Sequence, residues 1–308
     1  MSAKPMAGSL ICLTYCICFL LTFSVLISGC TSFSQDQQVM ALDENILKKA
    51  RAGDVEAQYN LARMLDKGIR NDDGLLVSNI PEAVEWYKKA AEQGHAEAQC
   101  NLGLILYKGI GISVNQSEAI KWFRKSAEQG VPEAQHNLGL MLYKGEATPV
   151  NKTEAAEWFK KAAEQGHAKA QYNLGFMQYT GDGIPINTTE ATEWFRKSAE
   201  QGHSEAQYRM GNILYNGYTT QAKAEAAEWY RKAAEQTHVI AQYNLALILY
   251  KGDGVPVDKA EAAEWYEKAA KHGHTKAQYN LALMLEHGDG ITADAVEAKK
   301  WFDKAKEQ

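Results

Sequence analysis

The chain has 308 residues, 45% hydrophobic and 23% charged, an ordinary globular balance. Asp and Glu number 38 against 33 Lys and Arg, so the excess of positive charge that nucleic acid demands is missing. Of five cysteines only Cys100 lies beyond residue 30, which excludes a disulfide-stapled fold and any repeated C-x-x-C metal site.

In chain order, the first element is a targeting segment. Lys4 is the only charge ahead of an apolar run from Met6 to Gly29, which ends Leu26-Ile27-Ser28-Gly29-Cys30. A basic start, an apolar centre and small residues before a cut describe a secretory signal, residues 1–29. The ending resembles the bacterial lipobox. That resemblance implies diacylation of Cys30 as the mature N-terminus. With Thr31 following instead of Asp, it also implies sorting to the outer membrane, facing the periplasm or the cell surface. The run exceeds the ~7–15 residues of a usual signal core and approaches the ~20 of a spanning helix, so an uncleaved anchor is the alternative. Either way the remainder is exported and tethered to a membrane, with residues 30–40 as a short linker.

Residues 41–53 read as a capping helix, with Asn45 standing where later units carry tryptophan. Seven units then follow: 54–94, 95–130, 131–166, 167–202, 203–237, 238–273 and 274–308. Their beat is set by Trp86, Trp122, Trp158, Trp194, Trp229, Trp265 and Trp301, spaced 35 or 36 residues apart. Seven Ala-Gln pairs, from Ala57 to Ala277, keep the same period, which is the signature of stacked supersecondary units.

In the second unit the first helix runs from about Ala96 to Lys108, following Gly94 at the end of the previous helix. Counting Ala98 as position 1, positions 1, 5, 8 and 9 gather on one side, and Cys100, Gly103, Leu104 and Tyr107 on the other. A helix apolar on two faces is buried between neighbours. Position 6 is always Gly or Ala, which predicts close approach of another helix, and position 2 is always Gln. The second helix opens on a capping box, Asn115-x-x-Glu118, repeated everywhere except the fifth unit, which has Ala222 before Glu225. Glu85/Lys89, Glu157/Lys161 and Glu264/Lys268 are expected to pair on its exposed face. In the last unit Lys299 and Lys306 replace apolar positions, as expected of a terminal repeat with a polar outer face and a chain complete at Gln308.

These units resemble the Sel-like repeat (SLR) family of the tetratricopeptide superfamily, through A-x-x-x-L-G-x-x-Y-x-x-G followed by E-A-x-x-W-[YF]-x-K-A-A-E-Q-G. Ala170-Gln171-Tyr172-Asn173-Leu174-Gly175 and Glu190-Ala191-Thr192-Glu193-Trp194-Phe195 are instances. The resemblance implies an all-α fold, an α/α solenoid (a right-handed superhelix) with the first helices lining its concave side. It also implies a non-catalytic protein-protein interaction scaffold, without cofactor, used in envelope assembly or host interaction. One cysteine-rich branch is associated with β-lactam binding or hydrolysis, which makes a cell-wall or β-lactam-related hydrolase the alternative, although its cysteine pairs are absent here.

Position 4 carries Asn60, Asn101, Asn137, Asn173, Arg209, Asn244 and Asn280, the candidate contacts for a partner peptide. In related superhelices concave asparagines hold the backbone or terminus of an extended peptide; the alternative is packing against local structure. The enlarged first loop, Ile69–Asn79, is a second place for specificity. His95, His167, His203, His238 and His274 share one register, but repeats ~8–10 Å apart cannot converge on one ion with bonds of ~2 Å. They are expected to start the first helices, and no metal is assigned. Gly181-Asp182-Gly183, Gly252-Asp253-Gly254 and Gly288-Asp289-Gly290 lack the strand and further residues of phosphate loops and read as turns. The sequons at Asn115, Asn151 and Asn187 coincide with helix caps. No nucleophile elbow is present.

Overall fold

The computed structural model describes residues 44–70, 76–217 and 219–307, so the signal segment, Cys30 and the linker lie outside the described residues. No helix among the described residues is long and apolar enough to cross a membrane. Among the described residues fifteen helices follow one another, and the chain is an all-α repeat solenoid. It divides between Gln93 and Gly94 into two compact units.

The first unit holds α1 (Glu44–Arg51), α2 (Val55–Lys67) and α3 (Ile80–Glu92). Helix α1 caps α2 as expected: Ala50 is buried, and its carbonyl accepts the Gln58 side-chain amide at 3.1 Å. The enlarged loop is not wholly irregular. Two short strands, β1 (Ile69–Arg70) and β2 (Leu76–Val77), pair antiparallel, Ile69 with Val77 and Arg70 with Leu76. The extra length thus folds back on itself; residues 71–75 lie outside the described residues.

The second unit alternates first helices α4 (Ala96–Lys108), α6 (Pro132–Lys144), α8 (Ala168–Thr180), α10 (Ser204–Tyr215), α12 (Val239–Lys251) and α14 (Thr275–His287) with second helices. Those are α5 (Gln116–Glu128), α7 (Lys152–Glu164), α9 (Thr188–Glu200), α11 (Thr220–Glu235), α13 (Lys259–Lys271) and α15 (Ala295–Lys306). The register histidines start the first helices, as expected: Nδ1 of His95, His167, His203, His238 and His274 accepts the amide three residues on, at 3.2–3.3 Å. Each imidazole satisfies a donor that helix geometry leaves free. Asn115, Asn151 and Asn187 cap the second helices in the same way. In the fifth repeat the cap moves upstream to Thr219, whose hydroxyl accepts from Ala222 N at 3.1 Å, and α11 lengthens to 16 residues.

Close approach at position 6 is confirmed. A Cβ built on Gly139 would stand 2.7 Å from the Phe159 ring, and one on Gly211 2.7 Å from Tyr230. The second-helix aromatic thus seats on bare backbone, while the neighbouring tryptophans, 6–9% exposed, complete the core. The invariant position-2 glutamines have a role that spacing alone does not disclose. Gln171 donates to the Ala163 carbonyl at 3.1 Å and accepts from Gln201 Nε2 at 2.7 Å, joining consecutive repeats across a buried polar bridge. Gln99, Gln135 and Gln207 accept likewise from Gln129, Gln165 and Gln236. The expected second-helix pairs are corrected. Lys89, Lys161 and Lys268 lie over the rings of Trp86, Trp158 and Trp265, 3.9, 3.9 and 3.7 Å from the centroids, instead of pairing with the preceding glutamates. A partly desolvated indole face competes well with a fully hydrated carboxylate.

Candidate functional site

Successive first helices of the second unit leave a row of depressions with corresponding walls. The one between α6 and α8, about 220 Å³, is lined by Leu140, Tyr143, Phe159, Tyr172, Asn173 and Phe176 among others. Between α8 and α10 lies one of about 260 Å³, walled by Tyr179, Phe195, Arg209, Asn212, Tyr215 and Asn216. Between α12 and α14 the row recurs at about 600 Å³ with Tyr250, Tyr266 and Asn280. Each has a second-helix aromatic beneath it, a position-10 tyrosine on one side and a position-4 side chain on the other. A repeating sequence folds into a repeating surface, and the differences between its copies sort the candidate residues.

Position 4 is not uniform in what it does. Asn244 and Asn280 stand beside the hydroxyls of Tyr230 and Tyr266 on the preceding second helix, so there the amide packs against local structure. Where that aromatic is Phe the hydroxyl is gone and the side chain finds other surroundings. Asn137, following Phe123, keeps a buried Nδ2 with no partner. Asn173, following Phe159, stands 3.2 Å from His136 Nε2. Arg209, following Phe195, lies 3.4 Å from Glu205 through Nε and 5.6 Å over the Phe176 ring. That Nε contact is an ion pair without hydrogen-bond geometry, since Nε makes no hydrogen bond. In the first unit, Asn60 donates to Glu56 at 3.3 Å. Asn101 is half-buried on α4. The surroundings of position 4 therefore divide along the second unit by whether Tyr or Phe stands beneath.

The Gly-Asp-Gly turns are more than turns. Asp182 accepts from Tyr143 Oη at 2.5 Å and from Lys152 Nζ at 2.6 Å, both in the preceding repeat. Asp253 does the same for Tyr215 and Lys223, and Asp289 for Tyr250 and Lys259. The bond to Asp182 holds the Tyr143 phenol protonated, pushed up to about 12. These staples fix Tyr143, Tyr215 and Tyr250 as rigid walls, whereas Tyr179 of the fourth repeat has no such aspartate. On the outer face a second ladder links repeats: Glu154 accepts from Arg124 at 2.7 Å and from Trp158 Nε1 at 3.4 Å, and Glu261 accepts from both Arg231 and Trp265.

His136 stands at position 3 of α6, outside the register of the capping histidines. The structure brings its ring to 4.7 Å from that of His167, whose Nε2 is 2.8 Å from Glu133 Oε2. Burial pushes the His136 imidazole down to about 4, and the hydrogen bond from His167 holds the Glu133 carboxyl at about 2. Cys100, the only cysteine among the described residues, is buried and pushed up to about 12 by desolvation, unsuited to act as a thiolate nucleophile.

The comparisons with known proteins agree with this architecture. No curated protein sequence matches the chain. The Sel1 repeat pattern matches residues 55–95, 96–131, 132–167, 168–203, 204–238, 239–274 and 275–308. A protective antigen of uropathogenic Escherichia coli with an SLR fold is 32% identical, with a TM-score of 0.78 over 86% of this chain and 56% of that one. The chain thus spans little more than half the length of that relative. A Sel1 repeat protein from Oxalobacter formigenes is 31% identical, with a TM-score of 0.66 over 85% of this chain and 75% of its own. Seven matched repeats running from residue 55 to residue 308 show that the chain belongs to the Sel1 repeat family.

Proposed function

We propose that the chain is a non-catalytic scaffold that binds a partner protein along the row of depressions between its first helices, exported and tethered by a lipid on Cys30. The observation that carries this reading is the row itself. Depressions recur between α6 and α8, α8 and α10, and α12 and α14, with stapled tyrosine walls in the first and last, and the position-4 side chains that stand over phenylalanine, Asn137, Asn173 and Arg209, cluster in the middle repeats. An extended segment crossing these repeats advances ~3.3 Å per residue against a repeat spacing of ~8–10 Å, so about three residues of partner fall to each depression. Asn173 and Arg209 border two neighbouring depressions with Phe176 between them, and there side-chain specificity is concentrated. This surface offers binding without an activated nucleophile.

For the groove, Asn173→Ala combined with Arg209→Ala is expected to abolish partner capture while helicity is unchanged. Capture that survives places the binding surface elsewhere. For the tether, support comes from the Leu26-Ile27-Ser28-Gly29-Cys30 ending. Cys30→Ser is expected to eliminate palmitate labelling, and unchanged labelling removes the lipid anchor. The outer membrane, facing the periplasm or the cell surface, is the location that the residue after Cys30 supports, and fractionation of the wild-type envelope tests it.

A further inference from the structure

Position 3 of the first helices is tyrosine in five repeats (Tyr59, Tyr172, Tyr208, Tyr243, Tyr279) and departs at Cys100 and His136. Tyr172, Tyr208 and Tyr243 each stack on the histidine that caps the next first helix, with centroids 5.0, 4.7 and 4.5 Å apart. His136 takes that place against His167, at 4.7 Å and 30° between planes. The fifth repeat is an internal comparison. There Glu205 and His238 Nε2 lie 2.9 Å apart beside Tyr208, as Glu133 and His167 lie 2.8 Å apart beside His136. The glutamate-histidine pair therefore occurs without a second imidazole, and the imidazole is what the third repeat adds.

The His136 ring is 5% exposed, its Nε2 faces Asn173 at 3.2 Å, and its Nδ1 is buried without a partner. One ligating atom from each of Glu133, His136 and His167 lies within 4.8 Å of the other two. We propose that Glu133, His136 and His167 bind one divalent first-row transition ion, linking α6 to the N-terminus of α8. Two imidazoles and a carboxylate are a donor set suited to Zn(II), Co(II) or Ni(II). Bonds of ~2.0–2.2 Å around a tetrahedral ion draw such atoms to roughly 3.4 Å apart, a side-chain adjustment with no change of helix position.

With Nδ1 on the ion, His136 keeps its proton on Nε2 and donates it to the Asn173 side-chain oxygen once that amide turns over. This is the outer contact that orients a ligating imidazole. His167 has to give up one bond. Its Nδ1 accepts Ala170 N–H at 3.2 Å, and ligation through Nε2 places the ring proton on Nδ1. The repeat before it does without that bond altogether, because its first helix starts at Val131 with no side-chain cap. The remaining coordination positions belong to water or to a partner's side chain.

The full chain, stripped with chelator, is titrated with Zn(II) by calorimetry and with Co(II) by visible absorption. His136→Tyr installs the residue that five repeats already carry at this position, so the fold is retained, and far-UV circular dichroism verifies it. The chain's remaining histidines and cysteines are common to wild type and variants, so ions held elsewhere cancel in the comparison. The expected result is that His136→Tyr loses one equivalent and that Tyr208→His, which rebuilds the triad in the fifth repeat, gains one. Equal uptake by wild type and His136→Tyr, or no added equivalent in Tyr208→His, overturns the proposal.

Discussion

His272→Gln should stabilise the protein. Where the other bridges pair two glutamines, His272 holds the register position 30 residues after Gln242, whose buried Oε1 has no partner although its Nε2 donates to the Ala234 carbonyl at 3.0 Å. The other C-terminal glutamines reach the equivalent oxygen at 2.7–2.8 Å: Gln129, Gln165, Gln201 and Gln236. The substitution sacrifices the His272 Nδ1 contact to the Lys268 carbonyl at 2.8 Å, but Gln165 and Gln236 make the same contact to Lys161 and Lys232 at 3.4 Å. The net gain is therefore one buried hydrogen bond to an orphaned acceptor, about 1 kcal/mol with a range of about 0.5–1.5. For an array of this size that corresponds to roughly 2–4 °C in Tm. Urea unfolding of wild type, His272→Gln, Gln242→Ala and the double variant forms a cycle whose coupling isolates the bridge. No gain in His272→Gln, or the same gain in the Gln242→Ala background, refutes the reasoning.

Gly139→Val should destabilise by about 1–3 kcal/mol or more in the same assay, because the added side chain meets a Phe159 ring that is 1% exposed. Lys268→Gln should cost about 0.5–1 kcal/mol through the Trp265 face, while Glu264→Gln should cost nothing, the reverse of what an i,i+4 pair requires. The hydrogen bond from His238 holds the Glu205 carboxyl below its ordinary 4.5. A depressed carboxylate binds fewer protons folded than unfolded below that pH, so its contribution is present above about 4.5 and lost as pH falls through the folded value. The stability difference between wild type and Glu205→Gln should therefore shrink on acidification below pH ~4, and a difference constant down to pH ~2.5 contradicts the bond.

Most of the fold was legible because the period of the tryptophans and of Ala-Gln fixes helix pairs, and small residues at position 6 fix their close packing. The histidine starts were legible from their common register at the head of five units. Less legible were contacts between repeats. Nothing local in Gly181-Asp182-Gly183 tells that Asp182 reaches back to Tyr143 and Lys152, 39 and 30 residues earlier. A recurring coincidence did carry a signal, since lysine stands 30 residues before Asp182, Asp253 and Asp289 alike. The split of the Asn stripe was readable in principle from the alternation of Tyr and Phe after each tryptophan, but only once the structure placed that ring under position 4. His136 escaped notice because its partner is the cap of the following helix, a neighbour that single-helix periodicity does not contain.

The central claim is that the row between the first helices is the partner surface. A photocrosslinking residue at position 179, which is 45% exposed beside Arg209, tests it most directly, compared with one at exposed position 160 on the second helix α7. In cells the account predicts a discrete protein adduct from position 179 that disappears with Asn173→Ala and Arg209→Ala, and none from position 160. An adduct from position 160 alone, or one from 179 indifferent to both substitutions, contradicts it.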